Sequence, residues 1–170
     1  MDLGLTDKNV IVTGASQGIG ASIAHCFLKE GANVLIVSRG SEQLFSTELE
    51  FQSSFGKERV RAVTCDCTDV EALQKIAKEV QQVWDCVDIV VANVGDGRSV
   101  SEVLPNAEQW GKTWEVNFES ALHTARTFLP MLQESKGCLL FVSSIAAMEA
   151  LGAPVDYSTA KSAVTALAKN

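Results

Sequence analysis

The chain has little positive charge to spare: 14 lysines and arginines stand against 21 aspartates and glutamates, a formal net charge of −7. Nucleic acids and anionic membranes are held by basic surfaces that displace counterions, so neither is an expected partner. Long apolar runs are also missing. None approaches the roughly 20 residues needed to cross a bilayer, and no basic-then-apolar segment precedes the first predicted strand, so the expected location is the cytosol. Histidine occurs twice, and the five cysteines (Cys26, Cys65, Cys67, Cys86 and Cys138) include no Cys-x-x-Cys pair. That spacing argues against a metal site and predicts thiols buried within helices and strands. No repeat, low-complexity segment or linker interrupts the chain.

What is present is a core. With 170 residues, 46% hydrophobic and 21% charged, the composition is that of one compact domain. From Asn9 onward, short β-branched runs alternate with amphipathic stretches, the pattern of βαβ units around a parallel sheet covered on both faces. Strands are predicted at Asn9–Thr13, Asn33–Val37, Val60–Cys65, Val87–Ala92 and Cys138–Val142. Helices are predicted from the glycine-rich turn to about Glu30, stopped by Gly31, over Ser41–Ser54, and from a Thr68/Glu71 capping box to Trp84. Asn106 can cap a further turn. Lys112–Glu134 carries an apolar stripe of Trp114, Phe118, Ala121, Ala125 and Phe128, and Pro154 opens a helix still running at Lys169–Asn170. That last helix has no stop signal, so the chain reads as the front part of something longer.

The chemistry is predicted to lie at the strand ends, where open α/β sheets bind ligands. Between the first strand and first helix stands Thr13-Gly14-Ala15-Ser16-Gln17-Gly18-Ile19-Gly20. Glycines there permit a tight turn and bring a diphosphate close to a helix N-terminus, although an ordinary strand-to-helix turn has the same composition. After the second strand come Ser38 and Arg39 instead of a carboxylate; a guanidinium can pair with a 2′-phosphate, which favours NADP(H) over NAD(H), unless Arg39 is simply solvated. Asp66, followed by Cys67, either accepts a hydrogen bond from an adenine amino group or caps the next helix. Asn93-Val94-Gly95 ends the fourth strand: Asn93 can bond neighbouring backbone and Gly95 permits close approach, and a plain turn is the alternative. Ser143 and Ser144 end the fifth strand. On the helix beyond, Tyr157 and Lys161 are four residues apart and share one face. A nearby ammonium favours the phenolate, which makes Tyr157 a plausible proton carrier.

Taken together, these segments resemble the short-chain dehydrogenase/reductase family in its compact single-domain branch, 3-oxoacyl-carrier-protein reductases among them, over essentially all 170 residues. The resemblance implies a Rossmann-type doubly wound sheet and an NADP(H)-dependent hydride transfer between nicotinamide and a carbonyl or alcohol carbon. It implies that Tyr157 transfers the proton, Ser144 bonds the substrate oxygen, Lys161 holds the ribose hydroxyls and lowers the tyrosine pKa, and Asn117 anchors a water linking Lys161 to solvent. The expected cofactor contacts are Gly14, Ser16, Gln17, Gly18, Ile19, Gly20, Ser38, Arg39, Asp66, Cys67, Asn93, Gly95, Tyr157 and Lys161. Substrate contacts are expected from Asp96–Leu104 and Ile145–Ala153; Arg98 either meets an acidic substrate or is solvated. Family members form homodimers and homotetramers, the assembly expected here.

Two departures stand out. Where the family usually has two asparagines, then alanine and glycine, this chain has Ala92-Asn93-Val94-Gly95, losing one backbone-bonding side chain. Family members also continue beyond the point corresponding to Asn170. A catalytically silent nucleotide-binding regulator, or an interaction module on the same fold, is the alternative function.

Overall fold

The computed structural model describes residues 2–98 and 102–170. Five parallel strands, β1 (Asn9–Thr13), β2 (Asn33–Ser38), β3 (Val60–Thr64), β4 (Ile89–Ala92) and β5 (Cys138–Phe141), form one sheet in the order β3-β2-β1-β4-β5. The chain therefore winds outward from β1 to β3, then returns to β4 on the other side of β1. That reversal opens a crevice at the carboxyl ends of β1 and β4.

Helices α1 (Gly18–Lys29) and α2 (Ser41–Phe55) cover one face of the sheet, and α3 (Val70–Val83) and α5 (Ser120–Ser135) cover the other. Period-two alternation assigns each strand residue to its side: Val10 and Val12 meet Ala24, Leu28 and Leu44, whereas Ile11 meets Leu73, Ile76 and Phe128. Val10, Ile11 and Val12 are wholly buried, each contributing about 1.5–3 kcal/mol of apolar transfer. α4 (Ala107–Trp114) leads into α5, and α6 (Val155–Ala168) packs beside α4, α5 and β5.

Several predicted details are corrected. The α3 cap is Asp69, whose carboxylate accepts from Ala72 N, and not Thr68; the Thr68 hydroxyl is already committed to Asp66. The long helix predicted over Lys112–Glu134 is broken by a π turn at Glu115–Glu119, where Ser120 N–H reaches back five residues to the Glu115 carbonyl. α6 ends at Ala168, two residues before the predicted run stops. Only Cys65 and Cys67 are buried; Cys26, Cys86 and Cys138 are exposed, on the outer side of α1, in a loop and on the edge strand β5. Among the described residues no helix is long and apolar enough to cross a membrane.

Candidate active site

The glycine turn is built by β1 and β4 together. Thr13, buried at the end of β1, donates its hydroxyl to the Val91 carbonyl and accepts from Asn93 N. The Asn93 amide donates to the carbonyls of Thr13 (3.0 Å) and Gly14 (3.1 Å). Gly14 has φ +65°, a conformation glycine adopts without penalty. The first turn of α1 then packs directly onto this loop: a Cβ on Gly20 would lie 2.3 Å from the Gly14 carbonyl oxygen. Gln17, at the α1 N-cap, makes no capping hydrogen bond, and no acidic residue occupies the helix's first turn. That end of α1 is thus electropositive and has donors to spare.

A cleft of about 360 Å³ runs along the turn and the ends of β2, β3 and β4. Its walls contain Gly14, Ser16, Gln17, Ile19 and Gly20 of the turn, Ser38 and Arg39 after β2, Asp66 and Cys67 after β3, and Asn93 and Gly95 after β4. Gly18, grouped with them from sequence, lies outside it and lines outer grooves of α1 instead. Ser16 and Ser38 join hydroxyls at 3.1 Å, tying the turn to β2. Arg39 lies 3.7 Å from Asp66, both side chains partly exposed. Burial pushes the Asp66 carboxyl up, but the backbone and hydroxyl bonds from Thr68, with Arg39, outweigh it and hold the group below its ordinary value. Arg98, also in the cleft wall, pairs with Asp96 through two nitrogens while its side chain stays 91% exposed, as expected of a solvated loop arginine.

Beyond the cleft's β4 end the proposed catalytic groups gather. Lys161 is buried, and its Nζ donates to the carbonyls of Val142 (3.1 Å) and Val94 (3.3 Å). Burial lowers its pKa to about 8. Gly95 belongs to both regions: it lines the cleft, and a Cβ on it would stand 2.8 Å from Lys161 Nζ and 3.1 Å from Asn117 Oδ1. Its close approach is thus to Lys161 and Asn117. Asn117, central in the π turn and buried, accepts from Asp96 N and donates to the carbonyls of Asp96 and Thr113. Both N–H groups of its amide are used, and together with Oδ1 they clamp the loop after β4 to the helix.

Tyr157, the only tyrosine, sits in the first turn of α6, half-buried, with its ring 3.8 Å from where a Cβ on Gly97 would be. The neighbouring Asp156 is buried and accepts from Tyr157 N. Ser144 caps the short 3₁₀ turn Ile145–Ala147 by accepting from Ala146 N. Ser143 is structural: its hydroxyl bonds the Lys161 carbonyl and Thr165, locking β5 to α6. Sequence reasoning missed the contacts made by the Asp96 backbone and by the Val94 and Val142 carbonyls, because main-chain groups leave no side-chain signature. Of the expected substrate segment Asp96–Leu104, residues 99–101 lie outside those described; Val103, Leu104, Ile145, Met148 and Leu151 expose apolar side chains.

A doubly wound parallel sheet with a glycine turn at its switch point and a Tyr-x-x-x-Lys helix beside it defines a dinucleotide-fold dehydrogenase class. The chain belongs to the short chain dehydrogenase family, whose model matches residues 8–170. An uncharacterized oxidoreductase of Staphylococcus aureus is 34% identical over 161 residues, covering 94% of this chain and 68% of that protein. Another, from Bacillus subtilis, is 34% identical over 172 residues, covering 99% and 63%. Among solved structures, L-sorbose reductase of Gluconobacter frateurii, complexed with NADPH and L-sorbose, matches with a TM-score of 0.92 at 30% identity over 99% of this chain and 64% of that one. Alcohol dehydrogenase of Thermococcus sibiricus, complexed with 5-hydroxy-NADP, matches at 0.87 and 28% identity, over 95% and 68%. The chain thus spans about two thirds of the length of these relatives.

Proposed function

We propose that residues 1–170 form the cofactor-binding and catalytic domain of an NADP(H)-dependent oxidoreductase acting on a small carbonyl or alcohol substrate. The observation that carries this reading is the continuity of the glycine-turn cleft with Lys161, through Gly95. The donor set fits a dinucleotide phosphate: uncapped N–H groups at the start of α1, the hydroxyls of Ser16 and Ser38, and the Arg39 guanidinium. Two structural neighbours were solved with NADPH or an NADP derivative, which supports the same preference here.

When bound, the nicotinamide supplies or accepts the hydride. The chain does the rest: Tyr157 gives a proton to the substrate oxygen in reduction, or takes it in oxidation, and Ser144 bonds that oxygen. Lys161, one helical turn from Tyr157, holds a positive charge that favours phenolate. With its pKa near 8 it can also pass a proton on. Asn117 fixes the Asp96 backbone and so holds the loop that carries Gly95 against Lys161. Ketones, sugars and 3-oxoacyl thioesters all present the required carbonyl. A cytoplasmic homodimer or homotetramer is the proposed working form.

Titration of nicotinamide fluorescence with NADPH and NADH tests the cofactor assignment directly. Tyr157→Phe tests the chemistry: turnover should vanish while NADPH binding stays nearly intact. Retained turnover in that variant would remove Tyr157 from the proton path.

A further inference from the structure

Helix α2 buries the stripe Leu44, Thr47 and Phe51, spaced as one helical face. Thr47 is the polar member of that stripe, 6% exposed at a place where isosteric valine would have no hydroxyl to satisfy. Its hydroxyl lies 2.7 Å from the carbonyl oxygen of Ser16 in the glycine turn and 2.9 Å from that of Gln43 in its own helix. A hydroxyl has one hydrogen to give. Bonding back to the fourth residue before it is ordinary for a helical threonine, and Thr124 and Thr159 do the same. The contact with Ser16 is the shorter one, and it reaches out of the helix to a residue 31 positions away.

Two further bonds run between the glycine turn and this part of the chain. The Ser16 hydroxyl meets that of Ser38 at 3.1 Å, and Ala15 N donates to the Val37 carbonyl at 3.2 Å. All three ties end on β2 or α2, the two elements that flank Arg39. The tie from Thr47 does what the others do not, because it fixes a peptide plane. In a trans peptide the C=O and the following N–H point in opposite directions. With the Ser16 carbonyl turned toward α2, the Gln17 N–H is turned away from it. Ser16 and Gln17 line both the dinucleotide cleft and a groove between α1 and α2, whereas Thr47 lines the groove alone. Gln17 N–H has no acceptor among the described residues.

We propose that Thr47 is a positioning residue for dinucleotide binding: its hydroxyl locks the Ser16–Gln17 peptide so that the Gln17 N–H is presented to a cofactor phosphate in the cleft. This role rests on the cofactor reading given above. Thr47 itself stays outside the cleft and acts through the peptide. Without its hydroxyl the peptide is free to turn, and a carbonyl oxygen facing a phosphate repels what an N–H attracts.

The test compares the wild type, Thr47→Val and Thr47→Ser. Valine keeps the shape and removes the hydroxyl; serine keeps the hydroxyl and removes the methyl. Each protein is titrated with NADPH and NADH by nicotinamide fluorescence, its thermal unfolding is recorded, and hydrogen exchange of the Gln17 amide is followed by NMR. The Kd for NADPH is expected to rise about three- to tenfold in Thr47→Val, the size of one lost neutral hydrogen bond. In Thr47→Ser it should stay near the wild-type value, even though the missing methyl lowers Tm. A threonine that only fills space predicts the reverse, with serine the more damaging change. NADPH should also slow exchange of the Gln17 amide in the wild type, and much less so in Thr47→Val.

An unchanged Kd in folded Thr47→Val overturns the role, and so does an equal loss of affinity in Thr47→Ser. A wild-type Gln17 amide that NADPH leaves unprotected overturns it with no variant needed, so the test survives a valine variant that does not fold. If the wild type binds and valine binds equally well, this role alone falls. If the wild type binds neither NADPH nor NADH, the cofactor reading falls and takes the role of Thr47 with it.

Discussion

Gly95 leaves the Lys161 side chain no room for a neighbour at the junction of cleft and catalytic helix: a methyl group on Gly95 would stand 2.8 Å from Nζ and 3.2 Å from Cε. The ammonium cannot simply swing aside, because it is tied to the carbonyls of Val94 and Val142. Gly95→Ala is therefore expected to lower stability by about 1–3 kcal/mol, as overpacking does in a filled site, and to reduce turnover by moving Lys161. Thermal unfolding checks the first part; an unchanged Tm would mean that the loop after β4 yields without cost.

Lys161 also sets a pH dependence whose sign follows from its burial. Its pKa is about 8 in the folded chain against an ordinary 10.5, so between those values the unfolded chain holds more protons. Stability from this group then increases as pH rises from about 8 toward 10.5, and its burial penalty, up to about 3 kcal/mol, is fully present below 8. Denaturant unfolding of the wild type and of Lys161→Met across pH 7–10.5 isolates it. The difference between the two should shift steadily in favour of the wild type with rising pH, and a pH-independent difference would contradict the assignment.

Asn93 closes the glycine turn through two bonds that no neighbouring side chain replaces. Asn93→Ala leaves the carbonyls of Thr13 and Gly14 short of partners and should cost about 1–3 kcal/mol. Asn93→Asp cannot donate to them and should do no better. Chemical denaturation decides, and a loss below 0.5 kcal/mol, roughly the floor for one bond, would show that solvent takes over the task.

Arg39 offers the one change expected to redirect binding without unfolding anything, since its side chain is largely exposed. Arg39→Asp should invert the preference between NADPH and NADH in a fluorescence titration, because a carboxylate repels a 2′-phosphate and accepts from a 2′-hydroxyl. Preference unchanged would mean that a group other than Arg39 reads the phosphate.

The strands and the cleft were legible in the sequence because each depends on local pattern: β-branched runs for β1 to β4, and glycines and short polar residues at their ends. What could not be read was decided by neighbours distant in sequence. Thr68 and Asp69 are both competent caps, and the choice fell to Asp69 only because Asp66 holds the Thr68 hydroxyl. Arg39 lies in the cleft wall, and its pairing with Asp66 depends on the register of β2 against β3. Cysteine burial held for Cys65 and Cys67 and failed elsewhere for the same reason: Cys26 and Cys138 lie in regular elements yet are exposed. The polar position at Asn117 was visible, but its clamp onto the Asp96 backbone was not.

The π turn at Glu115–Glu119 makes the chain's length, as well as its composition, a constraint at this point. A π turn is an α-helix carrying one residue too many, and each residue turns the helix by about 100°. Deleting one of these five positions would let the turn close into a regular α-helix with little rotation of α5 beyond it, so the change would fall on the residues of the turn itself. Asn117 would then leave the Asp96 backbone while Ala121, Ala125 and Phe128 kept their places against the sheet. Exposed Glu115 can thus be replaced far more easily than it can be removed, and this stretch should accept substitutions while rejecting deletions.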